Sequence, residues 1–324
     1  MNSFGRKYRV SIFGESHGVA VGVCIDGCPV GIALQQEDFL ADLQRRKSGA
    51  KGTTPRVEAD MPEIVSGVFN GKTTGAPITV IFRNENTRSG DYANLVAMPR
   101  PGHADYVASQ KFGGYADYRG GGHFSGRVTL GMVAAGVVAK KMLTGSSIEA
   151  SILEVGGKKF GEHEALLKEA MSKGDSLGGV VECHAKNIPV GLGEPFFDSV
   201  ESLISHAIFS IPAVRGIEFG KGFAAAAMRG SEHNDAITDA SGKTATNNAG
   251  GVNGGITNGN DVVFRVAIKP TSSISAPQQT YHFEKQTVEI LEVKGRHDAC
   301  IVLRVPVVVE AAAAMVLADL LLLR

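Results

Sequence analysis

The segment Val305 to Leu323 constrains the fold more than any other stretch of this chain. It is almost wholly Val, Ala, Leu and Met, interrupted by Pro306, Glu310 and Asp319. Two carboxylates within it argue against a bilayer-spanning helix, because an ionised group in hydrocarbon is costly. Pro306 suits the first turn of a helix, where its missing N–H leaves nothing unpaired. The segment therefore predicts a terminal helix buried on most sides, and a fold that covers its helix layer with other elements.

Other runs come in mixed order. Strands are predicted at Tyr8 to Phe13, Val19 to Ile25, Ile64 to Phe69, Pro77 to Phe82, Ile148 to Val155, Gly179 to His184, Val214 to Phe219 and Val262 to Ile268. Helical spacing occurs at Glu37 to Arg46, Ser125 to Leu143, His163 to Met171, Phe197 to Phe209 and Pro306 to Leu323. Strands and helices lack the regular alternation of a doubly wound sheet, so the expected class is α+β. Ala245 to Asn260 is nearly all Gly, Asn and Thr, the composition of a tether. Val252 and Ile256 punctuate it, however, and an ordered loop offering backbone N–H groups to a ligand is expected.

Lys+Arg and Asp+Glu number 33 each, with no long run of one sign, which disfavours nucleic acid and membrane surfaces as partners. Cys24, Cys28, Cys183 and Cys300 show neither CxxC spacing nor a zinc-like grouping with histidine, so no metal site is expected. Reduced thiols and an N-terminus without a signal-peptide apolar stretch point to the cytoplasm.

Chemistry is concentrated in polar turns bounded by glycine. His17 stands in Gly14-Glu15-Ser16-His17-Gly18 and His103 in Arg100-Pro101-Gly102-His103-Ala104-Asp105. Each lies where a regular element should stop, and an imidazole at a strand end suits general acid or base work. Arg45 to Arg56 packs five cations and three hydroxyls together, with no carboxylate before Glu58, a composition that suits phosphate or a polycarboxylate. Arg119-Gly120-Gly121-Gly122-His123-Phe124-Ser125 leads into the predicted long helix and is expected to offer free N–H groups to an anion. It is neither a GxGxxG fingerprint nor a P-loop. Lys269-Pro270-Thr271-Ser272-Ser273 closes a strand with one cation and three hydroxyls, and Arg296-His297-Asp298 adds a carboxylate able to orient an imidazole, take a proton or cap a helix. Taken one at a time, each motif is also compatible with a plain turn or a solvated basic loop. Together they point to acid–base chemistry on a strongly anionic small molecule, with or without a phosphate-bearing cofactor.

In the same order, and over nearly the whole chain, these motifs resemble those of the chorismate synthase family. The likeness runs through Phe13 to Gly18, Arg45 to Asp60, Ser66 to Ala76, Arg100 to Tyr106, Asp117 to Gly136, Gly193 to Gly220, Asn247 to Ser273 and Gly295 to Glu310. The resemblance implies a β-α-β sandwich, one domain over residues 1–324, with long helices between two antiparallel sheets, assembled as a homotetramer. It implies a carbon–oxygen lyase that converts 5-enolpyruvylshikimate 3-phosphate to chorismate by anti-1,4-elimination of phosphate. Reduced FMN is required without net redox change, and NADPH is the candidate reductant. By the same resemblance His17 protonates the leaving phosphate and His103 the reduced flavin near N1, while Ser16 and Asp298 assist the proton relay. Arg46, Arg100, Arg127 and Arg296 match positions that hold substrate or cofactor anions, Arg46 also being linked with a nicotinamide-phosphate site, and Lys51 matches a cofactor-binding position. His123, Phe124, Ser125, Gly254, Lys269, Pro270, Thr271, Ser272 and Ser273 match flavin contacts.

Two stretches depart from the family pattern. His123-Phe124-Ser125-Gly126-Arg127-Val128-Thr129 stands where Arg-Ser-Ser-Ala-Arg-Glu-Thr is usual, and Lys51 where arginine is common. Flavin or substrate affinity is expected to differ accordingly. A non-catalytic flavin-binding protein on the same scaffold is the alternative these departures allow.

Overall fold

The period-two alternation of Val262–Ile268 puts Val262, Phe264, Val266 and Ile268 on one buried face, as a half-covered strand requires. In this computed structural model, which describes residues 2–56, 58–87, 89–295 and 297–324, such strands form two five-stranded antiparallel sheets. One runs, in spatial order, Ser3–Phe4, Arg9–Gly14, Ala20–Asp26, Ile78–Arg83 and Glu63–Ser66. The other runs Val214–Phe219, Val262–Ile268, Gly179–Lys186, Ser147–Val155 and Lys158–Lys159. Apolar pairs such as Val23 opposite Val80 and Cys183 opposite Phe264 set the register, since a one-residue slip would turn them to solvent.

Helices Thr129–Met142 and Pro306–Leu323 fill the space between the sheets. The first rests on Ala20–Asp26; the second packs along the first and against Ser147–Val155 and Gly179–Lys186. Val307 to Leu320 is buried without a break, which accounts for the missing polar face. The helix is long and apolar enough to cross a membrane, but 78% of it is buried inside the protein. Its two carboxylates each have partners. Glu310 accepts from Arg45 at 2.6 and 2.8 Å, from Lys140 Nζ at 2.9 Å and from the Ala150 N–H at 2.8 Å. Asp319 accepts the N–H groups of Arg6, Lys7 and Tyr8, tying the N-terminal sheet to the last helix.

Where the two long helices touch, a methyl on Gly136 would stand 2.4 Å from Ala311 Cβ. Gly136→Ala is therefore expected to push the helices apart and cost about 1–3 kcal/mol, read as a lower urea midpoint. An unchanged midpoint would show that the helices can separate freely there.

The predicted strands and helices form, with boundaries moved by local chemistry. The long helix starts at Thr129 and not at Ser125, because Ser125 caps the short turn Gly126–Val128, its Oγ accepting the Arg127 N–H at 3.3 Å. One N–H at the helix start, that of Arg127, is thus taken by the serine and is not left for an anion. Ala245 to Asn260 is ordered around the hairpin Val252–Asn253 and Ile256–Thr257, but its N–H groups bond inward. Asp235 takes those of Asn248 and Ala249 at 2.8 and 2.9 Å, and Asn247 Oδ1 takes that of Gly251 at 2.7 Å. The short helix Asp105–Lys111 and the hairpin Gln278–His282 with Thr287–Leu291 carry no strong apolar period, and sequence pattern does not reveal them.

Candidate active site

Strand Arg9–Gly14 ends with Gly14 at φ 94°, and the turn beyond it brings Ser16 and His17 back over the helix layer. Asn84 Nδ2 closes that turn by donating to the carbonyls of Glu15 and Gly18 at 3.0 and 2.8 Å. The Ser16 N–H donates to the Gly122 carbonyl at 3.0 Å, pinning the turn against the triglycine segment. Both residues are buried, Ser16 at 1% and His17 at 8% exposure. A Cβ placed on Gly120 would lie 2.6 Å from His17 Cδ2 and 2.8 Å from Ser16 Oγ; one on Gly121 would lie 3.4 Å from His103 Cε1. Consecutive glycines therefore each touch one imidazole, and the two histidines share one wall.

That wall belongs to a cavity of about 970 Å³, at the upper end for small-molecule sites. Among the described residues its lining holds the cations Arg46, Lys47, Arg56, Arg100, Arg127, Arg215, Lys269 and Arg304 against the carboxylates Glu58, Asp60 and Asp298. Ser16, His17, Arg46, Arg100, His103, His123, Phe124, Ser125, Arg127, Lys269, Pro270, Thr271, Ser272, Ser273 and Asp298 all line it. Two expected contacts do not: Lys51 is exposed in the loop after helix Leu40–Arg46, and Gly254 sits in the hairpin turn between Asn253 and Ile256. Arg296 lies outside the described residues.

The charges are held by specific partners. Arg127 Nη1 donates to Asp60 Oδ1 at 2.7 Å, Nη2 to the Arg83 carbonyl at 3.0 Å, and Nε to Asn84 Oδ1. Arg46 donates from Nε to Thr129 Oγ1 at 3.0 Å and from Nη2 to the Gly126 carbonyl at 2.8 Å, with Nη1 3.7 Å from Asp60 Oδ2. Burial above all, then the positive charge of Arg304, lowers the Arg46 guanidinium to about 9. Arg56 donates to Glu58 Oε1 at 3.0 and 2.6 Å and to Ser16 Oγ at 3.2 Å. Asp298 Oδ1 accepts the Thr54 N–H at 3.0 Å, and Arg304 Nη1 stands 3.1 Å from both carboxylate oxygens, so Asp298 also clasps the basic loop.

The imidazoles differ in setting. Burial, then the charges of Arg56 and Arg119, pushes the His17 imidazole below its ordinary pKa, and Tyr92 packs against it edge-on with ring centroids 5.3 Å apart. His103 Nδ1 lies 2.7 Å from Asp105 Oδ1. Its loop is clasped by the segment 269–273: Lys269 Nζ and Ser272 Oγ donate to the Gly102 carbonyl at 2.6 and 2.8 Å. His123 lies with Nδ1 2.8 Å from the Gly14 carbonyl and Nε2 3.2 Å from Asn2 Oδ1.

Arg56, the last cation of the basic stretch, also lines the cavity, as do Glu58, Asp60, Tyr92, His297 and Arg304, to which sequence reading assigned no role. The one available signal was that Glu58 and Asp60 directly follow the cation-rich stretch, where two carboxylates can neutralise it.

Double sheets around buried helices, with two imidazoles and a serine hydroxyl on one wall of a cation-lined cavity, define an enzyme equipped for acid–base work on small molecules. A family model described as chorismate synthase matches residues 8–322. The chain is 66% identical to chorismate synthase of Chitinophaga pinensis, covering 100% of this chain and 97% of that one. It is 48% identical to the Korarchaeum cryptofilum enzyme of the same name, covering 98% and 96%. A crystal structure of chorismate synthase matches with a TM-score of 0.75 at 30% identity, over 98% of this chain and 93% of that one. The chain belongs to the chorismate synthase family and is a carbon–oxygen lyase. Membership at this identity sets aside the non-catalytic alternative.

Proposed function

We propose that this enzyme eliminates phosphate from 5-enolpyruvylshikimate 3-phosphate in the anti-1,4 sense to give chorismate, with reduced FMN in the same cavity and no net redox change. The observation that carries this reading is the meeting of Ser16, His17 and His103 on one triglycine wall inside a cation-lined cavity. A substrate with two carboxylates and a phosphate suits such a lining. The residues also fit a flavin phosphate. Thr271 Oγ1 is buried without a hydrogen-bond partner in the loop that carries Lys269, Ser272 and Ser273, so a ligand oxygen there would satisfy it. When bound, reduced FMN supplies electron density to the reacting framework.

His17 gives its proton to the departing phosphate oxygen. In the free protein burial first, then the charges of Arg56 and Arg119, work against its imidazolium form. A polyanion beside the ring opposes the two arginines and favours the imidazolium that donates. His103 holds or moves a proton beside Gly121, and His123, Phe124, Ser125 and the segment 269–273 hold the flavin. A homotetramer is the proposed assembly, and Gly254 and Lys51, though outside the lining of this cavity, remain proposed cofactor contacts within it. NADPH is the proposed reductant, and four free cysteines are in keeping with the cytoplasm.

Anaerobic incubation with reduced FMN and the enolpyruvyl substrate should release inorganic phosphate and chorismate in equal amounts; no release with both present removes this reading. His17→Ala should slow turnover about 10²-fold with KM largely kept. A loss below about tenfold takes the acid role away from His17.

A further inference from the structure

Asp105 opens the helix Asp105–Lys111 and lies behind His103, outside the cavity lining. Its side chain is 8% exposed, and Oδ1 stands 2.7 Å from His103 Nδ1. On the other side Arg100 grips it. Nη2 donates to Oδ1 at 2.7 Å, Nε to Oδ2 at 2.7 Å, and the Arg100 backbone N–H to Oδ2 at 3.1 Å. Arg100 is fixed in turn by donating from Nη1 to Ser273 Oγ at 2.7 Å. Burial pushes the Asp105 carboxyl up, but the hydrogen bonds from Arg100 and His103 outweigh it and hold the group far below the ordinary carboxylate range.

An ionised carboxylate offers only lone pairs, so a 2.7 Å contact with Nδ1 requires the hydrogen to sit on that nitrogen. Arg100 Nη2, one hydrogen of which goes to Asp105 Oδ1, is also 3.1 Å from Nδ1; donating its second hydrogen there would leave a bare Nδ1 lone pair 2.7 Å from an anionic oxygen, so the shorter ionic contact decides. The opposite edge of the ring, Cε1 and Nε2, turns toward Gly121 on the wall shared with His17. Lys269 and Ser272 face the same loop through the Gly102 carbonyl, and His297 is close enough to exchange charge effects with His103.

We propose that Asp105 is a positioning residue for His103: it fixes the hydrogen on Nδ1 and so leaves Nε2 as the nitrogen that exchanges a proton at the cavity wall. This rests on His103 acting in proton transfer. Asp105→Asn tests it sharply. The Oδ2 position receives two donors from Arg100 against one at Oδ1, which draws the single amide oxygen to Oδ2 and leaves the amide NH₂ facing Nδ1. That group can only donate, so the ring hydrogen must move to Nε2.

The test is ¹⁵N spectroscopy of histidine-labelled, ligand-free protein, with the His103 signals assigned by their loss in His103→Ala. Wild type should carry the hydrogen on Nδ1, and Asp105→Asn on Nε2. In turnover assays Asp105→Asn should lose about 10²-fold in kcat with KM changed less than about threefold. An Nε2 hydrogen in the wild type overturns the proposal even if the variant does not fold. So does an unmoved hydrogen in Asp105→Asn, or a moved hydrogen with full kcat while His103→Ala is slow. A His103→Ala protein as fast as wild type would instead overturn the role of His103 itself, whatever the ring hydrogen does.

Discussion

Replacing Gly120 by alanine is expected to slow turnover roughly 10³-fold while leaving the protein folded. The added methyl would lie 2.6 Å from His17 Cδ2, 2.7 Å from its Nε2 and 2.8 Å from Ser16 Oγ. Such contacts are too close for a carbon, so the imidazole, the serine turn or both must move. Proton transfer is sensitive to small displacements, and a shift of about 1 Å can cost 10²-fold. The backbone adds a smaller penalty, since Gly120 sits at φ 59°, where alanine costs about 1–2 kcal/mol. That is a modest part of the stability of a chain this long, so the thermal midpoint should fall by only a few degrees. Turnover within about tenfold of wild type would show that His17 is not held by this wall. Loss of cooperative unfolding would show that the segment is a folding element first.

Asp60→Asn is expected to cost about 3–5 kcal/mol of stability. Asp60 is the carboxylate shared by Arg127 and Arg46, whose side chains are 7% and 4% exposed. Removing its charge leaves two largely buried guanidinium groups without their common counter-ion. The backbone does not confound the test, because Asp60 is at φ 49°, a region that asparagine adopts readily. Urea unfolding reads the loss directly. Both arginines line the cavity, so inorganic phosphate should restore more stability to the Asp60→Asn variant than to the wild type. A loss below about 1 kcal/mol, or equal phosphate effects on both proteins, would show that the two arginines are neutralised elsewhere. Another buried carboxylate, Glu310, should be less sensitive, since its partners Arg45 and Lys140 are 46% and 26% exposed and can turn to water.

Much of the fold was legible in the chain because it depends on local periodicity. Val262–Ile268 alternates and is a half-buried strand; Pro306–Leu323 has no polar face and is buried from Val307 to Leu320. The site was legible in part. His17 and His103 announced themselves as imidazoles in glycine-bounded turns, and both reach the cavity. Asp60 did not, because its importance comes from Arg127, 67 residues away. Gly120 and Gly121 looked like the opening of a helix; they proved to be the surface against which two distant loops rest. Arg100 looked like a ligand-binding cation and does line the cavity, but its bonds to Asp105 and Ser273, which hold it there, were not legible in the sequence.

Hydrophobic period, turn chemistry and the identity of the reactive groups are properties of neighbouring residues, and the linear order of amino acids determined them without help from the rest of the molecule. Which carboxylate neutralises which guanidinium, which nitrogen of His103 carries hydrogen, and where a missing side chain makes room for a ring were decided only in three dimensions. Those outcomes depend on distances between segments that are far apart along the chain, and Coulomb and packing forces act on distance, not on sequence separation.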